Sequence, residues 1–331
     1  AKRMKKQDSS LEIIFFTTMP TLHLLKPYGI PAHHISGAKY FKGVDSNEWN
    51  TLLEEELTLC FEIHKPSMFI FDGAFPYRGM LRAVQGRSKL RKIWMRRGMF
   101  RKGAKIPVDS IQHFDSIIRP GDAIDESNEE LDHGLEVLTS SPIVLLDQSE
   151  LFSREQARYR LGIPLDCRAI YVQLGAGQIN DISSEIRMTL DALLKYDNLH
   201  IILGESMIGD RIGIEMPNLH IIRDYPNSQY FNGFDAVIQA GGYNSFHETR
   251  AFGMPALFYP NMETGMDDQL ARCRVAEKEG WGYVVQNRTK QQIQQGIEKL
   301  LNHTSNQEPR EYVNGADELS GKLISQIGVI D

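Results

Sequence analysis

Residues 239–248, QAGGYNSFHE, have the residue types and spacing best suited to binding a charged ligand. A short apolar run ends at Gln239, and Gly241 and Gly242 lead directly into a stretch of helical pattern. Glycine lets the backbone approach a ligand closely, and the free N–H groups and positive dipole end of a helix favour an anion. The segment therefore predicts a diphosphate site at a strand–turn–helix junction.

A purely structural interpretation of the same segment stays open. Ser245 and Glu248 have the Ser-x-x-Glu spacing of a capping box, in which two side chains satisfy the first free N–H groups of a helix. In that interpretation Gly241 and Gly242 only make a tight turn.

A second polar cluster, Asp267-Asp268-Gln269, follows the predicted strand at residues 256–259. Carboxyl ends of neighbouring parallel strands meet at one edge of a sheet, so this cluster is expected beside the Gly241-Gly242 turn. The alternative is an acidic helix start that complements the helix dipole.

Along the whole chain, short apolar runs alternate with longer amphipathic stretches, which predicts an α/β fold of parallel β/α units. An acidic stretch poor in apolar residues ends at Ser140-Ser141-Pro142, so we place a boundary there between domains 1–142 and 143–331. A short extended piece is expected near residues 33–35. The predicted strands are 11–17, 68–71, 92–95, 116–119, 143–146, 169–174, 199–203, 219–222, 236–239, 256–259 and 282–285.

The first residues, 1–6, have the composition of the last turns of a helix, with Lys near its negative end. We expect a first strand and part of that helix to precede Ala1, so that the first domain is incomplete at its start.

Composition excludes several classes of protein. The net charge of −6 argues against binding of duplex nucleic acid, and no apolar run approaches the roughly 18 residues of a membrane span. Cys60, Cys167 and Cys273 lie in separate predicted elements with no recognised CxxC or Cys/His spacing, so we expect neither a disulfide framework nor a zinc site. A reducing cytoplasmic location fits this cysteine usage.

Three runs between residues 241 and 272, GGYNSFHE, FGMPALFYP and ETGMDDQLAR, resemble the carboxyl-terminal domain of GT-B glycosyltransferases, in particular the MurG-type N-acetylglucosaminyl transferases. QLGAG at 173–177 and DYPNSQYFNGFDAVI at 224–238 fall where that family has its interdomain glycine loop and nucleobase segment. The resemblance extends over about 190 residues. It implies two Rossmann-like domains with parallel sheets that face a cleft.

The resemblance also implies roles for individual residues. The expected donor-binding residues are Gly175 in the interdomain loop, Gly241, Gly242, Asn244 and Ser245 at the diphosphate, Glu248 at the ribose hydroxyls, and Asp268 and Gln269 at the donor sugar. His247 points about 100° away from Glu248 on a helix, so we expect it to be packed or supporting.

The implied function is transfer of a sugar from a nucleotide sugar, expected to be a UDP-sugar, by an inverting reaction without metal or cofactor. The acceptor would be a glycan, a lipid-linked molecule or a small molecule, as in synthesis of bacterial envelope polysaccharide at the inner face of the membrane. Two alternatives stay open. One is a nucleotide-sugar hydrolase or epimerase, and the other is a donor-binding subunit that requires a partner.

The family's catalytic base lies in a first loop that would precede Ala1, so the chain must be searched for another. Asp72 ends the predicted strand 68–71 on the cleft side, and a carboxylate can act as general base. Its structural alternative is an Asp that opens an Asp-Gly turn. Thr17 and Thr18 are expected to line the same cleft.

Between Arg87 and Lys105 the chain has nine Lys and Arg residues, with Trp94, Met99 and other apolar residues among them. One hypothesis is a basic and apolar rim that meets an anionic or lipid-linked acceptor at a membrane surface. The other is a solvated basic edge balanced by the acidic residues 122–132.

Overall fold

The computed structural model describes residues 1–97, 108–124, 134–175, 182–205, 213–264, 267–304 and 312–327. In these ranges the chain forms three sheets, and every strand pair in them is parallel. The predicted α/β architecture of parallel sheets is confirmed. Within the described ranges no helix combines the length and apolar composition needed to span a bilayer.

The first part of the chain contains a two-stranded sheet and a four-stranded sheet of order β3-β4-β5-β6. Its strands are β1 (Phe15–Thr17), β2 (Ala32–His34), β3 (Met68–Asp72), β4 (Arg91–Met95), β5 (Ser116–Pro120) and β6 (Glu136–Ser140). Its helices are α1 (Lys2–Gln7), α2 (Ser46–His64), α3 (Arg78–Val84) and α4 (Val108–Ile111). The strand expected before Ala1 lies outside the chain and stays a prediction.

The second part contains a six-stranded sheet of order β12-β11-β10-β7-β8-β9. Its strands are β7 (Arg168–Gln173), β8 (Leu199–Gly204), β9 (Leu219–Ile222), β10 (Ala236–Gln239), β11 (Ala256–Phe258) and β12 (Gly282–Val284). Its helices are α5 (Arg154–Leu161), α6 (Ser183–Leu193), α7 (Tyr243–Ala251), α8 (Gln269–Lys278), α9 (Lys290–Leu301) and α10 (Gly315–Ile327). The chain moves outward from β7 to β9 and returns to β10 on the other side of β7, so the strand order reverses between β7 and β10. Ligands of open α/β sheets bind at such a reversal, beyond the carboxyl ends of the strands.

Both faces of this sheet are buried, because alternate residues of each strand point to opposite layers. Ile170, Val172 and Ile238 pack against residues of α6 and α9. Tyr171 and Val237 pack on the other face against residues of α5, α7 and α8. The two apolar layers hold β7 and β10 rigidly, and with them the loops at their carboxyl ends.

At the join between the sheets one predicted strand is absent and one observed strand was not predicted. Residues 143–146 form no strand; the Ile143 N–H donates to the Tyr243 hydroxyl, and Asn314 bonds the backbone of Val144. Val144 and Leu146 are nevertheless buried, and Ile143 packs against the cluster formed by the first sheet and α10. The strand β6 was missed because its sequence EVLTS is largely polar, as befits a sheet edge.

The helix α10 crosses back to the first sheet. Leu319 and Leu323 of α10 share a buried cluster with Met4, Ile93 and Ile118, and Lys322 Nζ donates to the Thr139 carbonyl oxygen at 2.7 Å. The boundary predicted between 142 and 143 separates the strands of the two larger sheets. The last helix lies against the first sheet although it follows the second in sequence.

Candidate functional site

The turn between β10 and α7 has the predicted strand–turn–helix geometry. Gly242 is the N-cap residue of α7, and the Phe246 N–H donates to its carbonyl oxygen at 2.9 Å. The alternative capping box is wrong: Ser245 is the third residue of the helix, and no side chain caps α7. The first turn of α7 therefore presents its N–H groups at the sheet reversal, where an anion can accept them.

The two glycines of this turn have different surroundings. A Cβ added to Gly241 would collide with Cys273 Sγ and lie 3.2 Å from the Gln269 carbonyl oxygen. At Gly242, apart from the residue itself and its neighbours along the chain, no heavy atom of the described residues lies within 4 Å of an added Cβ. Gly241 thus allows α8 to pack on the turn, whereas Gly242 leaves space in front of the helix.

Glu248 lies further along α7 and is partly buried. Ser228 Oγ donates to Glu248 Oε1 at 3.1 Å, and burial raises the pKa of this carboxyl to about 7. Near it, Asn227 Nδ2 donates to the Tyr171 hydroxyl at 3.0 Å. A carboxyl with a raised pKa beside hydroxyl and amide groups is suited to accept hydrogen bonds from a neutral diol.

A cleft with a volume of about 1650 Å³ runs between the two parts of the chain. From the first part it is lined by Thr17, Thr18, Asp72 and Arg97, and from the second by Gln173, Glu205, Tyr225, Asn244 and Glu248, among others. A smaller cavity of about 390 Å³ places Asp72, Gly73, Ala74 and Arg97 opposite Gly242, Asn244, Ser245 and Asp267. The predicted diphosphate residues and the predicted base thus share one cleft.

Arg97, which the sequence analysis considered only for membrane contact, joins these two walls. Its Nε donates to Asp72 Oδ1 at 3.0 Å, and its Nη1 donates to Asn244 Oδ1 at 3.1 Å. Its positively charged guanidinium therefore lies between the end of β3 and the first turn of α7. The available signal was its position just after a strand, the same signal that identified Asp72.

A buried ion cluster connects the parts a second time. Arg272 Nε and Nη2 donate to the two oxygens of Asp122 at 2.8 Å, and Arg272 Nη1 donates to the Gly241 carbonyl oxygen at 2.8 Å. The fully buried His247 bonds Asp122 Oδ1 at 3.1 Å, which confirms its packed, supporting position. Burial would raise the pKa of Asp122, but the bonds from Arg272 and His247 outweigh it and hold that pKa well below its usual range.

The structure gives Asp268 and Gln269 contacts with the backbone. Asp268 Oδ1 accepts the Ala271 N–H at 2.9 Å as the N-cap of α8, and the buried Gln269 accepts the Asn261 N–H at 2.9 Å. Asp268 therefore caps the start of α8, as the structural alternative predicted. Asp267 faces the smaller cavity and also pairs with Arg272 at 2.6 Å.

Gly175 lies two residues beyond β7, next to the end of β10, with a φ of 106°. This backbone conformation favours glycine, since a side chain is strained there. Its position at the strand reversal agrees with the interdomain loop expected from the resemblance.

Several described residues of the basic segment pair with carboxylates. Arg87 pairs with Glu62 at 3.0 Å, and Arg91 with Glu136 at 2.9 Å. Arg96 is 1% exposed, so it cannot lie on a basic rim. Residues 98–105 and most of the acidic stretch 122–132 lie outside the described ranges, and Asp122 is the partner of Arg272.

Known proteins resemble the chain in its fold. No family model matches the chain. An uncharacterized glycosyltransferase of Methanosarcina acetivorans is 28% identical over 130 residues, which are 38% of this chain and 32% of that protein. The match thus spans about a third of the relative's length.

Solved structures resemble the chain over nearly its whole length. The glycotransferase of kitacinnamycin has a TM-score of 0.62 at 11% identity, over 99% of this chain and 91% of that one. A spinosyn rhamnosyltransferase complexed with thymidine diphosphate has a TM-score of 0.58 at 14% identity, over 99% of this chain and 92% of that one. MurG of Acinetobacter baumannii has a TM-score of 0.54 at 15% identity, over 91% of this chain and 86% of that one. The chain therefore has the GT-B fold of these glycosyltransferases.

Proposed function

We propose that this protein is a glycosyltransferase that moves a sugar from a nucleotide-sugar donor to an acceptor in the cleft. One observation carries the proposal: the open turn at Gly242 begins α7 beside a cleft, and the partly buried Glu248 lies further along the same helix. The GT-B fold and the relative named as a glycosyltransferase support it.

The donor's diphosphate accepts hydrogen bonds from the free N–H groups at Gly242, Asn244 and Ser245, and Glu248 accepts hydrogen bonds from the ribose hydroxyls. A UDP-sugar is the expected donor, although one structural neighbour is complexed with thymidine diphosphate. Thymidine diphosphate lacks the 2′-hydroxyl, so a Glu248 that binds both ribose hydroxyls favours ribonucleotides. The sequence assignment of Asp268 and Gln269 to the donor sugar is retained as part of this proposal, with Asp267 as an additional candidate.

The leaving diphosphate gains negative charge as the bond to the sugar breaks. Arg97 and the amino terminus of α7 together supply positive charge from both walls, which favours departure of the diphosphate without a metal ion. The proposed transfer is inverting, by direct attack of the acceptor on the donor sugar. No other cofactor is invoked. Asp72 is the proposed base, and its ion pair with Arg97 gives it a second role in positioning that side chain.

These two roles of Asp72 predict different kinetics. In Asp72→Asn, loss of the base lowers kcat and leaves the KM for the donor nearly unchanged. Loss of positioning alone raises the KM for the donor and leaves kcat nearly unchanged.

The acceptor occupies the first-domain wall, where Thr17, Thr18, Phe71, Phe75 and Tyr77 line the cleft. This mixture of hydroxyl and aromatic groups fits an acceptor with an apolar portion, such as a lipid-linked molecule or an aglycone. A structural neighbour was solved with its spinosyn aglycone.

A peripheral contact with the cytoplasmic membrane face through residues 98–105 is tested by replacing Arg101 and Lys102 with Glu. Binding to anionic vesicles that is unchanged by this replacement contradicts the contact.

The function is tested by product analysis. The protein is incubated with nucleotide sugars chosen by thermal shift, because a bound donor stabilises the fold by mass action. Sugar incorporated into an acceptor, and lost in Glu248→Ala but retained in the exposed control Glu55→Ala, supports transfer. Free sugar formed at full rate without acceptor overturns it in favour of hydrolysis.

A further inference from the structure

Three potential metal ligands meet in the first part of the chain, away from the Gly242 turn. Cys60 and His64 lie four residues apart on α2, so their side chains share one helix face. His33 on β2 brings its Nε2 to 2.7 Å from His64 Nε2. The three ligand atoms all lie within 4.8 Å of one another, and Cys60 is 7% exposed.

This ligand set selects a class of metal. Sulfur and imidazole nitrogen suit zinc and related transition metals, whereas Mg²⁺ and Ca²⁺ prefer oxygen. Around tetrahedral zinc, with bonds of about 2.0 to 2.3 Å, neighbouring ligand atoms lie roughly 3.3 to 3.6 Å apart. The present arrangement reaches that geometry by side-chain shifts of about an ångström, within the rotameric freedom of His and Cys.

The sequence predicted no zinc site, because no CxxC or Cys/His spacing was recognised at its cysteines. That premise does not hold for Cys60 and His64, which have a Cys-x-x-x-His spacing on one helix. The third ligand comes from β2, and only the packing of β2 against α2 brings His33 beside the pair. The three side chains thus come from two elements, β2 and α2, and their proximity follows from the folded structure and not from spacing in the sequence.

We propose that His33, Cys60 and His64 bind one zinc ion, with a fourth coordination position open to the cleft. Cys60 and His64 both line the 1650 Å³ cleft, so a water molecule can reach that position. On binding, the Cys60 thiol gives its proton to solvent and the thiolate and two neutral imidazoles coordinate the ion. The ion would tie β2 to α2 on the acceptor side of the cleft. The proposal does not depend on the proposed transfer reaction.

Cobalt(II) is the probe for this site, because a thiolate ligand gives a near-ultraviolet charge-transfer band and tetrahedral geometry gives intense visible bands. The full chain, reduced and freed of metal with a chelator, is titrated with Co²⁺ and then with Zn²⁺. We expect saturation at one equivalent, both sets of bands, and displacement of cobalt by zinc.

Variants identify the ligands. Cys60→Ser keeps the side-chain size and should abolish the near-ultraviolet band. His33→Gln and His64→Gln should each weaken cobalt binding by more than roughly tenfold, the loss expected even for a supporting partner. His34→Gln, at the exposed next position of β2, and Cys167→Ser, in the second part, are controls that should keep all bands.

A wild-type chain without the near-ultraviolet band overturns the proposal, and the 2.7 Å contact is then a hydrogen bond between two histidines. A band that survives in Cys60→Ser, or that disappears equally in Cys167→Ser, overturns it as well. Circular dichroism of each variant shows that a lost band reflects the ligand and not the fold. Nucleotide binding is measured separately on the same proteins, so failure here leaves the proposed function untouched.

Discussion

Glu248 illustrates why a packing explanation of α7 is insufficient. Burial raises the pKa of this carboxyl to about 7, so keeping it ionised costs free energy in the absence of a ligand. A glutamine or an apolar residue would fill the same position at lower cost. Unfavourable local choices of this kind concentrate at functional sites, where the ligand provides the compensating contacts.

Glu248→Gln should therefore change how stability depends on pH. The carboxyl has a pKa of about 7 in the folded state, so it keeps its proton up to about that pH, whereas in the unfolded chain its pKa is the ordinary 4.5. Between these values the folded state binds more protons, so the free energy of unfolding of the wild type falls as pH rises. Since Gln does not titrate, the variant's advantage should grow through this window to on the order of 2 kcal/mol.

Urea denaturation below about pH 5 and above about pH 7.5 measures this difference. Glu55→Gln, at an exposed position of α2, is the control and should show no such trend. A stability difference between wild type and Glu248→Gln that does not change with pH contradicts the raised pKa.

Arg97→Gln tests whether the first domain contributes to diphosphate binding. Because charge-assisted hydrogen bonds are worth about 1.5 to 3 kcal/mol, affinity for a nucleoside diphosphate should fall roughly tenfold to a hundredfold. Affinity for the nucleoside alone should be unchanged, since Glu248 and its neighbours remain. Calorimetry with both ligands measures the two effects, with Arg91→Gln as control because Arg91 pairs with Glu136 outside the cleft. Equal losses for diphosphate and nucleoside would assign Arg97 a structural role only.

At the scale of the element, the two adjacent glycines of the turn between β10 and α7 have different roles. Gly241 allows α8 to pack on the turn, and Gly242 leaves space for a ligand. Gly242→Ala adds a methyl group into open space at a φ of −65°, which any residue adopts. Gly241→Ala instead forces Cys273 and α8 away. We predict that Gly242→Ala keeps the melting temperature and weakens nucleotide binding, whereas Gly241→Ala lowers the melting temperature by several degrees, as about 1 to 3 kcal/mol of overpacking would.

Thermal melts and nucleotide titrations of the two variants measure both properties. Unchanged nucleotide affinity in a stable Gly242→Ala chain would mean that no ligand approaches this backbone.

The elements themselves were largely predictable from sequence where burial on both faces imposes a continuous apolar run, as in β7 and β10. Prediction failed where burial came from another source. Val144 and Leu146 are buried in a segment that pairs with no strand, so the apolar run at residues 143–146 did not indicate a strand.

At the scale of the whole molecule, the two parts are joined by contacts that no local pattern reveals. Arg97 and Asn244 are 147 residues apart in sequence, and Arg272 and Asp122 are 150 apart. The sequence located one wall of the candidate site, because a glycine turn before a helix is a local signal. The opposite wall depends on how the sheets face each other, which hydrophobic periodicity does not determine.

The cluster of Asp122, Arg272 and His247 should be a main interdomain contact. Arg272→Met leaves Asp122 buried without its cation and releases the Gly241 carbonyl, so it should lower the free energy of unfolding by roughly 3 to 5 kcal/mol. The control Arg78→Met breaks an exposed ion pair with Asp109 and should cost about 1 kcal/mol or less. Urea denaturation compares the two variants, and similar small losses would contradict a buried contact between the domains.

The most direct test of the central claim, that α7 holds a nucleotide diphosphate between Gly242 and Glu248, is calorimetric titration of UDP, GDP, ADP and thymidine diphosphate. The wild type should bind at least one of them, more tightly than the corresponding monophosphate. Glu248→Ala should weaken that binding by roughly tenfold or more, in proportion to the lost bonds to the ribose. Absence of binding to all four, or an affinity that Glu248→Ala leaves unchanged, would contradict the account.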